Sequence, residues 1–279
     1  MNETLTLHPD GRTTLRMQRR LPHPPEKVWR AITQPQHLAA WFPAQVTLDG
    51  DRITYGFGPD GRITRNDPPR LFAHTWGEDH LQWELHPDGT GGTVLTLTHT
   101  FTDHHGAASF SAGWHTCLMA LLAHLDDRPH TPDPAATARL HEDYVHILGL
   151  DPAEPTGTSP RTSPGAGARG EADGAAVRLE RQLTRPADQV WHHLDGHRAT
   201  VGEPPPAPFT VPGVPAGPVT RVETGKLLHY DSPGGGVRWE LAEGTGHGAR
   251  LVVTHTGDPS ALPAWRSRVA VLAFELLDF

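Results

Sequence analysis

The chain lacks the features that mark secreted and membrane-spanning proteins. A single cysteine, Cys117, excludes an internal disulfide and is typical of a reducing compartment. No apolar run approaches the roughly 18 residues of a membrane span, and the polar start lacks the charged and apolar regions of a signal peptide. We therefore expect a cytoplasmic protein that does not insert into a membrane.

Positive charge is also scarce. The chain has 24 Lys and Arg against 32 Asp and Glu, a formal net charge of −8, and no long Lys/Arg run. Because binding to nucleic acid or to an anionic membrane depends on neutralising phosphates, neither is expected as the main partner. The 20 histidines add positive charge only below about pH 6.5.

Motifs for cofactor and metal chemistry are missing as well. We find no Gly-rich phosphate loop, dinucleotide fingerprint or Ser-His-Asp order. His141 and His146 flank Glu142 in a pattern superficially like a zinc protease helix, but they are five residues apart and would diverge by about 140° around a helix. The adjacent pairs His104-His105 and His192-His193 point in different directions. We expect neither a metal nor a cofactor.

The longest amphipathic segment is 109–126. Trp114, Leu118 and Leu122 recur there at helical spacing, which predicts a helix about 25 Å long. The preceding segments alternate apolar and polar residues between tight turns, which is typical of antiparallel strands. The sequence therefore predicts a sheet wrapped on one long helix. Strands are expected at 13–21, 44–48, 52–57, 62–66, 70–76, 80–86 and 93–101, with short helices after Pro25 and at 36–41 and a further helix at 134–148.

Proline and glycine indicate how the chain divides. The 28 prolines and 29 glycines concentrate at 151–174 and 202–218. Since the first of these segments has almost no apolar side chain, it cannot support a core. We predict a first domain at 1–150, a flexible linker at 151–175 and a second domain at 176–279.

The second domain repeats motifs of the first in the same order. The opening that ends at Trp29 matches the one that ends at Trp191, and Trp83-Glu-Leu matches Trp239-Glu-Leu. The Trp41-Phe42 region is replaced by a segment with three consecutive prolines, in which a regular hairpin is not expected. The second copy is therefore predicted to be truncated.

As a set, these motifs resemble the SRPBCC or START-like helix-grip (Bet v-like) superfamily, and within it the group similar to the activator of the heat-shock-protein-90 ATPase. The resemblance is carried by the stretch from Pro24 to Ala31, by Leu38-Ala-Ala-Trp41-Phe42, Pro69-Arg-Leu71, the Trp83-Glu-Leu strand and Gly113-Trp114. It implies an α+β fold in which a curved antiparallel seven-stranded sheet and a long C-terminal helix enclose an apolar cavity. Members bind hydrophobic small molecules, and some are cyclases or dehydratases.

The candidate site follows from the alternation and from this resemblance. The aromatic rings are either core or cavity wall, and the resemblance favours the wall. His99 is either a hydrogen-bonded core histidine or a polar group that faces a ligand, and its counterpart His255 favours the structural role. Candidate ligand-binding residues are Trp41, Phe42, Tyr55, Phe57, Trp76, Trp83, His99, Trp114 and Leu118; His99, Tyr55 and His115 are candidates for proton transfer.

Three functions are compatible with the sequence. The leading hypothesis is binding or sequestration of a hydrophobic small molecule in the first domain. The alternatives are a cyclase, dehydratase or hydrolase that uses the same cavity, and a chaperone-linked or protein-interaction module. The sequence indicates neither the ligand nor the oligomeric state.

Overall fold

The computed structural model describes residues 2–56, 58–151 and 176–279. The described residues form two compact units, which divide between Leu140 and His141. Residues 152–175 of the linker predicted at 151–175, and the candidate Phe57, lie outside the described residues. The domain boundaries proposed from the sequence therefore stay a prediction.

The first unit is an antiparallel sheet with a long helix. Its strands occur in the spatial order β1-β2-β8-β7-β6-β5-β4-β3. Three helices accompany them, and a fourth spans the division between the units. The elements are β1 (Asn2–Leu7), β2 (Thr13–Leu21), α1 (Pro25–Thr33), α2 (Pro35–Trp41), β3 (Thr47–Asp49), β4 (Arg52–Thr54), β5 (Gly61–Asp67), β6 (Leu71–Trp76), β7 (Asp79–Pro87), β8 (Thr93–Phe101), α3 (Ala107–Leu125) and α4 (Pro134–Ile147).

Alternation determines which side chains of the central strands are buried. In β7, Leu81, Trp83 and Leu85 are all buried. They pair across the ladder with His99, Leu97 and Leu95 of β8, which are buried as well. The same sheet face therefore carries the core that the period-two pattern predicted.

The sheet has eight strands rather than seven. The additional strand β1 pairs with β2 from Asn2 opposite Gln18 to Leu7 opposite Thr13. An ion pair of 2.7 Å joins Glu3 to Arg19 across these two strands. An edge strand with a polar start has a weak hydrophobic pattern, so β1 was not predicted from the sequence.

The predicted strand at 52–57 is shorter in the structure. β4 ends at Thr54, and Gly56 follows with a φ of 71°. A residue in this left-handed region cannot continue an extended strand. The ring of Tyr55 consequently projects from the end of a strand into the space enclosed by the sheet and the helices.

The second unit has the same topology with fewer strands. Its sheet order is β10-β11-β12-β13-β9, which corresponds to β5-β6-β7-β8-β2 of the first unit. The described residues contain no equivalents of β1, β3 and β4. The helix-grip fold is therefore present twice, with the second copy truncated as expected. The elements are β9 (Ala176–Gln182), α5 (Ala187–His193), β10 (Val219–Glu223), β11 (Leu227–Ser232), β12 (Gly235–Glu243), β13 (Ala249–Thr256) and α6 (Leu262–Glu275).

Candidate functional site

A small cavity lies inside the first unit, where α1 and α2 face the sheet. Its volume is about 30 Å³. A water molecule needs about 10–15 Å³ measured in this way, so the space holds one or two waters and no larger molecule. The wall is almost entirely apolar and includes seven aromatic rings. It consists of Ile32, Thr33, Leu38, Trp41, Phe42, Val46, Leu48, Ile53, Tyr55, Phe72, His74, Trp76, Leu81, Trp83 and Trp114.

Three tryptophans form the centre of this wall. The ring of Trp83 meets those of Trp41 at 6.4 Å and Trp114 at 5.6 Å, both edge to face. Trp41 Nε1 also donates a hydrogen bond of 2.9 Å to the main-chain oxygen of Ala31. Because such ring pairs are favourable and directional, they hold α1, α2, the sheet and α3 around the cavity.

One chain of buried polar groups interrupts the apolar wall. The Tyr55 hydroxyl lies 2.8 Å from His74 Nδ1, and Trp83 Nε1 donates to His74 Nε2 over 3.4 Å. An indole nitrogen only donates, so His74 Nε2 must be the unprotonated nitrogen and Nδ1 carries the hydrogen. His74 Nδ1 then donates towards Tyr55 Oη or the main-chain oxygen of Thr75, which lies 3.2 Å away.

Burial keeps the side chains of Tyr55 and His74 uncharged. Desolvation raises the pKa of Tyr55 above its usual value. Desolvation also lowers the pKa of His74 to about 4. The hydrogen bond to Thr75 makes a smaller contribution that raises this pKa, and His80 and His99 lower it slightly further. Near neutral pH the pair therefore offers neutral hydrogen-bonding groups to the cavity, because ionising either would place a charge in an apolar interior.

His99 lies behind Trp114 and does not line the cavity. Its side chain is fully buried. Trp114 Nε1 donates to His99 Nδ1 over 3.1 Å, and His99 Nε2 lies 3.1 Å from Asp79 Oδ2. Both ring nitrogens are therefore engaged, which is the arrangement of a core histidine that fixes its neighbours.

The structure separates the other candidates into two groups. Six of them line the cavity, namely Trp41, Phe42, Tyr55, Trp76, Trp83 and Trp114. Leu118 is buried but does not line it. His115 is half-buried on α3, and its pKa is lowered chiefly by desolvation and also by Arg19, with Glu3 opposing. These neighbours belong to β1 and β2, and His115 does not line the cavity.

Sequence reasoning missed His74 as a site residue. It lies two residues from Phe72 and two residues from Trp76 along β6, and it therefore shares their face of the sheet. This signal was available in the sequence. What the sequence could not supply was the partner, since Tyr55 reaches His74 from the segment just after β4, 19 positions away.

The second unit fills the corresponding interior differently. Tyr230 occupies the register position of His74, and its hydroxyl donates to the main-chain oxygen of Phe209 over 2.9 Å. The fully buried ring of Phe209 packs edge to face on Trp239 at 5.3 Å. The helix contact is retained, since Trp265 Nε1 donates to His255 Nδ1 over 3.3 Å.

Two further features bear on the candidate functions. No helix among the described residues is long and apolar enough to cross a membrane. Within the same residues, no group of three or more His, Cys, Asp or Glu side chains is placed to hold a metal ion.

Several solved structures are similar to this chain. CalU16 from Micromonospora echinospora is 21% identical, with 53% of this chain and 94% of that chain covered and a TM-score of 0.43. The conserved protein EF2215 from Enterococcus faecalis is 18% identical, with 53% and 91% covered and a TM-score of 0.46. DynU16, a protein of the dynemicin biosynthetic locus, is 19% identical, with 95% and 97% covered and a TM-score of 0.41.

A family model matches part of the sequence. It is described as "Activator of Hsp90 ATPase homolog 1-like protein" and matches residues 22–126. No curated protein matches the chain significantly. The matched residues run from the end of β2 to the end of α3 and include the whole cavity wall. The similarity to the activator of Hsp90 ATPase homolog 1-like family therefore rests on residues 22–126.

Proposed function

We propose that the first unit binds a small, largely apolar molecule in its ring-lined interior and that the protein sequesters or carries it. The observation that supports this most is the neutral Tyr55–His74 pair in an otherwise apolar wall. Ligand sites commonly combine apolar and aromatic surface with a few polar groups that fix orientation.

The second unit provides an internal comparison. There Tyr230, at the position of His74, donates a hydrogen bond to the main chain, and the ring of Phe209 packs on Trp239. The five rings of that interior, Trp191, Phe209, Tyr230, Trp239 and Trp265, are all buried. In the first unit, by contrast, Phe42 and Trp76 are only half-buried. We therefore assign ligand binding to the first unit, with one ligand per chain.

Binding requires a side chain to move, because the cavity as it stands holds only one or two waters. Phe42 is suited to this movement, since it lies just beyond the end of α2 and is half-buried. A ligand that replaced its ring against Tyr55 and Trp114 would recover aromatic contacts.

The geometry favours binding over acid-base catalysis. Both nitrogens of His74 are engaged, and the Tyr55 hydroxyl becomes a weaker acid on burial. A general base needs a free acceptor at a pKa near the working pH, and neither group meets this requirement.

The neutral fluorescent probe N-phenyl-1-naphthylamine tests the proposal on the full chain. We expect saturable binding at one probe per chain. Val46→Phe should weaken it by about tenfold or more, because Val46 lines the cavity and the added ring would occupy this space. Val94→Phe adds the same volume on β8 away from the cavity and should leave the affinity unchanged.

Circular dichroism should confirm that both variants remain folded. An affinity that Val46→Phe does not change, in a folded variant, would show that the interior is not the binding site. Turnover of a bound compound by the wild-type chain would instead favour the enzymatic alternative.

A further inference from the structure

A second and larger space lies on the outside of the first unit, between α2, α3 and the segment 128–137. Its volume is about 500 Å³, against about 30 Å³ for the interior cavity. Trp41 and Phe42 line both spaces. We call the larger space the outer groove. Only these two rings are shared between its wall and that of the cavity.

Phe42 is the more movable of the two shared rings. Trp41 is buried and held by its hydrogen bond to Ala31, whereas Phe42 is half-buried and follows the last residue of α2. The ring of Phe42 lies 6.3 Å from each of Tyr55 and Trp114, in tilted contacts. Rotation of this ring into the groove would join the two spaces.

The groove itself is lined mainly by small side chains. Ala39 and Ala40 of α2 face Gly113 and Ala120 of α3 across it. A Cβ atom built on Gly113 would meet nothing within 4 Å, so the groove is open above this residue. A flat or chain-like apolar group can therefore lie between the two helices.

The charge of the groove is opposite to that of the whole chain. Among its described lining residues none is acidic, and Arg128 is the one with a permanent charge, although the chain has a net charge of −8. Arg128 is exposed, and one of its guanidinium nitrogens pairs with Asp126 at 2.8 Å. Its other N–H groups remain as donors. Lys27 donates to the main-chain oxygen of Leu125 over 2.6 Å and offsets the negative end of α3.

We propose that the outer groove is the outer half of the ligand site and that Arg128 holds the anionic group of an amphipathic ligand there. The apolar part of this ligand displaces the Phe42 ring to enter the cavity. The ligand class is thus an apolar molecule with one carboxylate or sulfonate. This inference rests on the proposed function, since it requires the cavity to accept the apolar part.

Two probes separate the anionic contact from the apolar one. 8-Anilino-1-naphthalenesulfonate has the same rings as N-phenyl-1-naphthylamine and adds a sulfonate. Arg128→Gln should weaken binding of the sulfonate probe about three- to fivefold, the size of an exposed ion pair, and leave the neutral probe unchanged. Arg70→Gln is the matched control, because Arg70 is also exposed and pairs with a nearby aspartate, Asp67, at 3.0 Å. It should change neither affinity.

Gly113 tests the apolar part of the groove. Gly113→Leu should weaken both probes about tenfold or more by filling the groove, whereas Gly113→Ala should change them less than about twofold. Phe42→Ala should raise the association rate of the neutral probe at least about fivefold in stopped-flow measurements, because the displaced ring is removed.

The outcomes distinguish this inference from the proposed function. If Val46→Phe weakens both probes while Gly113→Leu and Arg128→Gln change neither, the cavity binds ligand and the groove proposal is wrong. If Val46→Phe changes neither probe, the proposed function fails, and the groove proposal fails with it. Equal losses of both probes in Arg128→Gln would overturn the assignment of an anionic group.

Discussion

Trp114 Nε1 donates a hydrogen bond to His99 Nδ1 over 3.1 Å and so ties α3 to the middle of the sheet. The second unit repeats this contact between Trp265 and His255 at 3.3 Å. The contact is present both in the unit with the ring-lined cavity and in the unit whose interior rings are all buried. It therefore belongs to the framework of the helix-grip fold.

Replacing His99 should accordingly affect stability. We expect His99→Ala to lower the free energy of unfolding by about 1–3 kcal/mol, because it leaves the buried Trp114 N–H without an acceptor. Chemical denaturation measures this, with His86→Ala at an exposed position of β7 as the control. A folded His99→Ala protein that lost about a hundredfold or more of a measured turnover would point to catalysis instead.

His74 should make the first unit less stable in mild acid. Its pKa falls from 6.5 to about 4 on folding, so the unfolded chain binds more protons between these values. The contribution of neutral His74 to the free energy of unfolding is therefore fully present above about pH 6.5. It is lost as pH falls towards 4, and the total loss is about 3 kcal/mol. Hydrogen exchange of β6 and β7 at pH 7 and pH 5, corrected for intrinsic rates, should show the loss.

His74→Gln retains a donor and an acceptor but does not titrate, so most of this pH dependence should disappear. His80→Gln is the control, since His80 is more exposed and its pKa is also lowered by burial. An unchanged pH dependence in His74→Gln would assign the effect to other groups.

Two glycines of the first unit should respond oppositely to alanine. A Cβ atom on Gly61 would lie 1.8 Å from the main-chain oxygen of Thr75, so Gly61→Ala must displace β5 from β6 and should cost about 2 kcal/mol or more. Gly113 lies in α3 with open space around it, and Gly113→Ala should stabilise by about 0.5–1 kcal/mol. Thermal unfolding of both variants checks the pair, and a Gly61→Ala protein as stable as wild type would contradict the close approach.

Phe209 should be an essential core residue of the second unit. Phe209→Ala should cost about 3–5 kcal/mol, because this fully buried ring packs on Trp191 and Trp239. Phe274→Ala removes the same ring from an exposed position on α6 and should change stability by less than about 0.5 kcal/mol. Similar losses in the two variants by chemical denaturation would contradict the packing.

Limited proteolysis tests the proposed linker at 151–175. Its composition predicts that trypsin cleaves first after Arg161 or Arg169, because a segment with almost no apolar side chains cannot form a core. Mass spectrometry of the early fragments identifies the sites. First cleavage within the strands between residues 44 and 101 would contradict the proposed domain organisation.

Much of the fold could be predicted from the sequence because it depends on local patterns. Helical spacing around Trp114 and Leu118 located α3, and alternation around Trp83 located the buried face of β7. The repeated motifs also indicated the truncated second copy. The helical and alternating patterns each lie within a few neighbouring residues, so the buried face of each element can be predicted from its local sequence.

Only the tertiary structure determined which residues form the candidate site. Sequence patterns made both Tyr55 and His99 candidates, with a structural role favoured for His99. The packed structure shows that His99 faces Trp114 and Asp79 while Tyr55 faces His74. The sequence also left open whether the rings enclose a large pocket or pack against one another, and the cavity of about 30 Å³ shows that they pack. Alternation specifies the face of the sheet that a side chain occupies, whereas its partners and the volume left between them depend on how distant strands and helices pack in three dimensions.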